Sequence, residues 1–268
     1  MIWSLLRVIV ISYLLLVAIL WIFQRRFIYF PSTAPAGAME TAARGAGLEP
    51  WRLADGTLAG WASAGGGRAW LVLHGNAGYA LHRATFVPLL RAADPGAAVF
   101  LLEYPGYGAR PGPPSESRIA AAAIAAAKDL AATRGGGICL LGESIGASFA
   151  AQVAEALGDR AEALLLITPF ARMADVAAHH FPFLPVRWLL RERHDASAAL
   201  AAYRGRAAIV VTQHDTIVPR RFGEALFQNI SCAKRLWTIP GADHNDIPYD
   251  PGAPWWREAV AFCTGASP

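Results

Sequence analysis

The residues most suggestive of chemistry form a serine flanked by glycines, Gly-Glu-Ser-Ile-Gly at residues 142–146. The apolar run 137–141 before it predicts a buried strand, and the alanine-rich stretch after it predicts a helix beginning near Ile145. A turn this tight between strand and helix tolerates only small side chains two residues before and after the serine. Ser144 is therefore a candidate nucleophile, and the backbone N–H of Ile145 is a candidate donor to the oxygen of the attacked group.

A serine nucleophile needs a histidine to take its proton and an acid to orient that histidine. Both follow later in the chain, each directly after a short apolar run that predicts a strand. Asp215 comes after residues 207–211, and His244 lies in the loop after residues 236–239. We expect His244 to accept the Ser144 proton, and Asp215 to fix the tautomer of His244 and stabilise its charged form.

These assignments have alternatives. Asp215 could be a turn residue ahead of a proline. Asp243 and Asp246 are poorer acids, because Asp243 adjoins His244 in the chain and its carboxylate cannot easily reach the ring. His214 precedes Asp215 in the same loop and is interpreted as a local hydrogen-bonding residue.

A second donor to the oxyanion should come from the loop after an earlier central strand. The apolar run 69–73 leads into His-Gly-Asn-Ala-Gly at residues 74–78, where the glycines allow the backbone to approach a substrate. We predict that the Asn76 N–H acts together with the Ile145 N–H, and that His74 is structural. The loop lacks the G-K-[ST] of a phosphate-binding loop and the G-x-G-x-x-G of a dinucleotide site.

In chain order, these motifs resemble the α/β-hydrolase superfamily. The resemblance rests on residues 74–78, the Glu-Tyr-Pro-Gly-Tyr-Gly stretch at 103–108, the Ser144 turn, Asp215 and the Gly-Ala-Asp-His-Asn-Asp stretch at 241–246. It extends over about residues 48–264 and is strongest to the membrane-anchored subgroup of the bud-emergence type, which includes protein depalmitoylases. It implies a Ser-His-Asp hydrolase that uses no metal and no organic cofactor.

The amino terminus predicts a membrane segment. Residues 8–23 are almost continuously aliphatic or aromatic, and Arg25 and Arg26 follow them. About 20 apolar residues cross a bilayer core, so residues 1–23 suffice if Arg7 reaches toward the headgroups. The alternative is a cleaved secretory signal, which fits less well because arginines stand where small residues are expected.

Charge and composition restrict the partners. The formal net charge of +4 is small, and the sequence contains no basic run. We therefore expect no nucleic acid as a partner, and we expect a lipid bilayer and an acylated or small-molecule substrate. Two arginines after the segment oppose Arg7 and the terminal amine before it, which leaves the orientation open. We expect a single-pass inner- or plasma-membrane protein with its catalytic part in the cytoplasm. The three cysteines are too few and too widely spaced for a disulfide framework.

The predicted organisation is an α/β fold with a mostly parallel central sheet, helices on both faces and an N-terminal transmembrane helix. Residues 1–30 are expected to be the anchor, 31–47 a linker rich in Pro, Ala and Gly, and 48–268 the hydrolase domain. Because the chemistry lies beyond the linker, we expect a chain beginning near Thr41 to be soluble and active. Residues 169–200 are crowded with Phe, Leu and Trp and predict a small lid over an acyl group, in which His179 and His180 pack or line a pocket. The alternative is that this stretch merely packs on the sheet.

Overall fold

The computed structural model describes residues 1–266 as alternating strands and helices. The strands are β1 (Leu48–Arg52), β2 (Leu58–Ser63), β3 (Ala69–Leu73), β4 (Ala98–Leu102), β5 (Ile138–Glu143), β6 (Ala161–Ile167), β7 (Arg206–Thr212) and β8 (Ala233–Ile239). The helices are α1 (Ile2–Ile28), α2 (Ala36–Gly45), α3 (Phe86–Ala93), α4 (Glu116–Arg134), α5 (Ile145–Leu157), α6 (Met173–His180), α7 (Val186–Leu189), α8 (Ala196–Ala199), α9 (Arg221–Asn229) and α10 (Pro254–Thr264).

One eight-stranded sheet in the order β1-β2-β4-β3-β5-β6-β7-β8 organises the molecule. The opening hairpin β1–β2 is antiparallel, and β2 also pairs antiparallel with β4. From β4 to β8 every pairing is parallel. The loops that follow β3, β5, β7 and β8 therefore emerge at the same edge of the sheet, where all the predicted site residues lie.

Alternating side chains of the central strands feed two separate cores. On one face, residues such as Leu71 and Leu140 pack with α4, α5, α8 and α9. On the other, residues such as Trp70 and Leu141 pack with α2, α3 and α10. Strands buried on both faces explain the unbroken apolar runs in the sequence. The predicted fold class is confirmed.

The amino-terminal helix α1 is 27 residues long and apolar enough to cross a membrane by length and composition. Apart from Gln24, its side chains are largely exposed to the surroundings. Arg25 and Arg26 lie in its last turn, where cations favour the helix dipole.

The stretch predicted as a linker, residues 31–47, is not irregular. It contains α2, whose Met39 and Ala43 are fully buried against the sheet. Before α2, Pro31 and Thr33 form parallel bridges with Gly78 and Gly108. This packing is not apparent from the sequence, because only two of the apolar side chains in the stretch are buried by it.

The predicted lid, residues 169–200, consists of the three short helices α6, α7 and α8. An antiparallel bridge between Arg172 and Asp195 closes its base. Beyond this base Val176 is buried in the core on the sheet, and the tip of the segment leans against α1, where the Tyr13 hydroxyl donates to the Phe183 carbonyl at 2.9 Å. Two segments far apart in the sequence, the apolar helix α1 and the lid, are thus in contact.

Candidate active site

Ser144 lies at the abrupt turn between β5 and α5, with φ of 53°. A Cβ on Gly146 would stand 2.2 Å from the Leu73 carbonyl oxygen, and one on Gly142 would stand 2.6 Å from the Ala147 Cα. Both glycines are therefore required by the backbone, as the sequence analysis predicts. The Ser144 N–H donates to the Ile167 carbonyl at 2.8 Å, which fixes the turn to the end of β6.

Three predicted residues meet at the carboxyl edge of the sheet. Nε2 of His244 lies 3.0 Å from Oγ of Ser144, and Nδ1 of the same ring lies 2.8 Å from Oδ2 of Asp215. The Asp215 carboxylate is almost fully buried and also accepts the N–H groups of Ile217 and Val218 at 3.0 and 2.6 Å. These bonds engage Oδ1 of Asp215 and leave Oδ2 directed at the ring. The arrangement can move a proton from Oγ to Nε2.

Asp243 makes different contacts. Its carboxylate accepts the backbone N–H of Thr216 at 2.8 Å and the N–H of His244 at 2.7 Å. The hydrogen bond from the Thr216 N–H lowers the pKa of Asp243, and that from the His244 N–H lowers it further. Asp243 thus joins the two loops that carry Asp215 and His244, without contacting the imidazole nitrogens.

The loop after β3 presents Asn76 beside the turn. Its side-chain oxygen accepts the Phe30 N–H and the Tyr107 hydroxyl, both at 3.1 Å, and its amide donates to the Ile28 carbonyl. With the side chain engaged in this way, the backbone N–H is the group of Asn76 that can serve an oxyanion. Ile145 is the first residue of α5, where N–H groups have no partner within the helix.

The residue before Ser144 has a role that the sequence analysis missed. The Glu143 carboxylate accepts from the Arg83 guanidinium and from the Gly75 N–H, the latter at 3.4 Å. It therefore ties the candidate oxyanion loop to the serine turn. No local pattern marks Glu143, because its partners come from a distant turn.

Beneath this loop, two ionisable side chains are buried together. His74 is stacked on Tyr104 with ring centroids 3.8 Å apart, and its Nε2 lies 3.8 Å from a carboxylate oxygen of Glu103. Burial lowers the pKa of His74 to about 3, so the ring is neutral. Burial raises the pKa of Glu103 to about 7, although the Ala80 N–H donates to it and opposes the shift. His74 is structural, in agreement with its sequence interpretation.

A second polar cluster, also missed from the sequence, links α1 to the serine helix. The Tyr29 hydroxyl donates to Glu192 at 2.7 Å and lies 2.9 Å from Nε2 of His194. Nδ1 of His194 lies 2.8 Å from Oγ of Ser148 on α5. Arg25 completes the cluster through a 2.7 Å ion pair with Glu192. Burial lowers the pKa of His194 to about 4, so this ring is neutral as well.

The remaining histidines lie outside these groups. His180 on α6 contacts the Ile217 carbonyl at 2.8 Å and so joins the lid to the Asp215 loop. His179 packs near Phe222. The His214 N–H donates to the Ala242 carbonyl at 2.9 Å. Within residues 1–266, no cluster of three or more His, Cys, Asp or Glu side chains is arranged to hold a metal ion.

The arrangement of sheet, serine turn and three side chains agrees with a family model described as "Alpha/beta hydrolase family", which matches residues 70–257. The chain belongs to the alpha/beta hydrolase family. An uncharacterized protein of Mycobacterium tuberculosis H37Rv is 37% identical over 238 residues, covering 85% of this chain and 82% of the relative.

Solved structures share the fold of this alpha/beta hydrolase. An esterase of Pyrococcus furiosus matches with a TM-score of 0.65 and 14% identity, covering 89% of this chain and 97% of the esterase. A monoacylglycerol lipase of Paleococcus ferrophilus matches with a TM-score of 0.57 and 17% identity, covering 74% of this chain and 95% of the lipase.

Proposed function

We propose that this protein is a membrane-tethered serine hydrolase that cleaves a carboxylic ester or thioester through an acyl-serine intermediate. The observation that carries the proposal is the continuous chain of contacts Ser144–His244–Asp215, with distances of 3.0 and 2.8 Å, on the turn of an alpha/beta hydrolase. Each side chain is of the type that its position requires for acyl transfer.

In the first half of the reaction, Oγ of Ser144 attacks the carbonyl carbon while Nε2 of His244 takes the hydroxyl proton. The tetrahedral oxyanion is stabilised by the N–H groups of Asn76 and Ile145, and Asp215 stabilises the imidazolium. The intermediate then collapses: the bond to the alcohol or thiol breaks, His244 delivers its proton to that leaving group, and acyl-Ser144 remains.

In the second half, a water molecule attacks the acyl carbon and His244 takes its proton. The same N–H groups hold the second oxyanion. Collapse breaks the bond to Oγ, the proton returns to Ser144, and the carboxylic acid leaves. Atoms balance as ester plus water giving acid plus alcohol.

Two features support an acylated substrate and a membrane location. α1 is long and apolar enough to span a bilayer, and the lid beside it exposes Phe183 and Trp188. The Pyrococcus and Paleococcus proteins of similar fold are named as an esterase and a lipase. We further infer membership of the membrane-anchored subgroup of the bud-emergence type, from the motif order combined with an apolar helix directly ahead of the domain.

The test is labelling with a fluorophosphonate, followed by assays with p-nitrophenyl esters of increasing chain length, matched thioesters and an amide. We expect modification at Ser144, rapid turnover of esters or thioesters, and slow turnover of the amide. Preferential cleavage of the amide would replace the proposal by an amidase. Failure to label Ser144, with no turnover of any substrate, would indicate a scaffold with a silent site.

A further inference from the structure

An apolar cavity lies between the amino-terminal helix and the lid. It has a volume of about 440 Å³, within the usual range of roughly 300–1,000 Å³ for ligand sites. Residues of α1 form one wall and residues of the lid form the other; we call it the α1–lid groove. Its lining is Val17, Leu20, Trp21, Gln24, Phe27, Ile28, Phe30, Ala177, Phe181, Leu184, Pro185, Val186, Leu189 and Leu190.

Gln24, the one amide side chain of the groove, offers nothing to an occupant. Oε1 of Gln24 accepts the Arg191 N–H at 2.8 Å, and its amide donates to the Trp21 carbonyl at 3.0 Å and toward the Leu189 carbonyl at 3.4 Å. The backbone donors of α1 are engaged within the helix. Because a polar occupant would lose its hydration without compensation, the groove selects hydrocarbon.

One end of the groove reaches the candidate oxyanion loop. Phe30, which lines it, donates its N–H to the Asn76 side chain at 3.1 Å, and the carbonyl of the lining residue Ile28 accepts from the same side chain. The backbone N–H of Asn76 is the proposed oxyanion donor. This end of the groove therefore adjoins the loop that carries the proposed oxyanion donor.

The other end of the groove lies at the depth of the hydrocarbon core of the bilayer. Contacts between lid and helix run from Tyr13 to Arg25, which is roughly 18 Å of helix at about 1.5 Å per residue. If Arg25 is at the headgroups of a core about 30 Å thick, the Tyr13 contact lies well inside the hydrocarbon. The lid must then be immersed too, in agreement with the exposed fractions of 65% for Phe183 and 88% for Trp188.

From these four observations we propose that the α1–lid groove binds the acyl chain of a membrane-resident lipid ester or thioester, taken directly from the bilayer. The inference rests on the proposed function, because it places the scissile carbonyl at Ser144. The amino-terminal helix is then part of the substrate site as well as an anchor. The substrate class is a long-chain acyl compound rather than a small soluble ester.

A filled groove should change the chain-length preference. The assay uses the full-length protein in nanodiscs and compares kcat/KM for p-nitrophenyl palmitate with kcat/KM for p-nitrophenyl butyrate. We expect Leu20→Trp to lower the palmitate-to-butyrate ratio at least tenfold. The matched control is Ile19→Trp, at the same depth but on the lipid-facing side of α1, where the side chain is 52% exposed. A ratio within twofold of the wild-type ratio in Leu20→Trp would overturn the assignment of the groove.

Binding can be measured without turnover. A Ser144→Ala protein in nanodiscs is exposed to a palmitate carrying a photoreactive diazirine, and the sites of attachment are mapped by mass spectrometry. We expect attachment to Val17, Phe181 or Leu189, reduced by Leu20→Trp and unaffected by Ile19→Trp. Attachment spread evenly over the lipid-facing surface of α1 would contradict a specific site.

The source of the acyl chain is tested by surface dilution. At fixed bulk concentration of a palmitoyl ester in phosphatidylcholine vesicles, the rate should follow the mole fraction of ester in the bilayer; dependence on bulk concentration alone would reject uptake from the membrane. The two proposals fail differently. If fluorophosphonate does not label Ser144 but the diazirine labels the groove, the hydrolase function fails; if Ser144 is labelled and the groove is not, the acyl site fails.

Discussion

Ser144 carries a positive φ of 53°, which costs a residue with a side chain about 1–3 kcal/mol. The strain holds its hydroxyl at the sheet edge, 3.0 Å from His244. We expect Ser144→Ala to lower turnover on the order of a thousandfold or more and to abolish fluorophosphonate labelling, with an unchanged melting temperature. Ser117→Ala, an exposed serine, is the control. Unaltered ester hydrolysis by Ser144→Ala would remove the proposed mechanism.

Because Asp215 and Asp243 make different contacts, we expect their substitution to affect turnover differently. Asp215→Asn should reduce kcat by about four orders of magnitude, because the amide favours the wrong tautomer of His244. Asp243→Asn should reduce it by less than about tenfold, since that carboxylate bonds to Thr216 and to a backbone N–H. The measurement is kcat on a p-nitrophenyl ester for both variants. The opposite ranking would make Asp243 the acid.

Glu103 should make stability depend on pH. Its pKa is about 7 in the folded chain against an ordinary value of 4.5, so the folded state holds the proton more tightly than the unfolded state. The contribution of Glu103 to stability is therefore fully present below about pH 4.5 and is lost as the pH rises to about 7, a loss of roughly 3 kcal/mol.

Glu103→Gln keeps a neutral side chain at every pH and should remove this contribution. Denaturant unfolding at pH 5 and pH 8 checks it: the variant should gain stability relative to wild type at pH 8 and little at pH 5. Glu49→Gln, an exposed carboxylate on β1, is the control. Equal differences at both pH values would show that Glu103 is ionised throughout.

At the scale of elements, the segment that joins α1 to the sheet is packed into the domain and contacts the loop of the candidate oxyanion donor. Tyr29 and Met39 are buried, and Pro31 and Thr33 bridge to the loops at Gly78 and Gly108. The contacts argue against the expectation that a chain beginning near Thr41 is self-sufficient. Removing the segment would expose part of each hydrophobic core and would free the Asn76 side chain from its contacts with Ile28 and Phe30.

We therefore expect a variant lacking residues 1–40 to lose at least about tenfold in kcat/KM on a short soluble ester and to melt several degrees lower. A variant lacking residues 1–12 keeps Tyr13, Arg25 and Tyr29 and should retain the short-ester activity. Thermal scans and the p-nitrophenyl butyrate assay compare the two. Full activity in the shorter protein would restore the separable-anchor organisation.

At the scale of the whole molecule, a hydrophobic helix and an exposed apolar lid lie on the same side of the domain. We expect the full chain to remain with membranes after alkaline carbonate treatment and to need detergent for extraction, because both elements bury apolar surface in lipid. Intact-mass analysis should find the residues before Phe30 still present. A soluble protein that begins after this segment would instead identify a cleaved signal.

The sequence by itself determined the chain order of the candidate serine, acid and histidine, and their positions directly after strands. Residues 142–146 require a tight turn because glycine is needed at two fixed positions, and Asp215 and His244 follow short apolar runs that form the parallel strands β7 and β8. These are local constraints, so composition and spacing reveal them.

Tertiary structure alone decided what touches these residues. Glu143 meets Arg83, and Glu192 meets Tyr29, across 60 and 163 positions of the chain, and no local pattern encodes such partners. The choice between Asp215 and Asp243 rested on which carboxylate faces the ring, which depends on how two loops pack. The apolar residues of α1 predict a lipid-facing anchor, yet one side of that helix forms a groove with the lid. The sequence does not reveal this because the hydrophobic effect is non-directional and does not specify which surface an apolar side chain packs against.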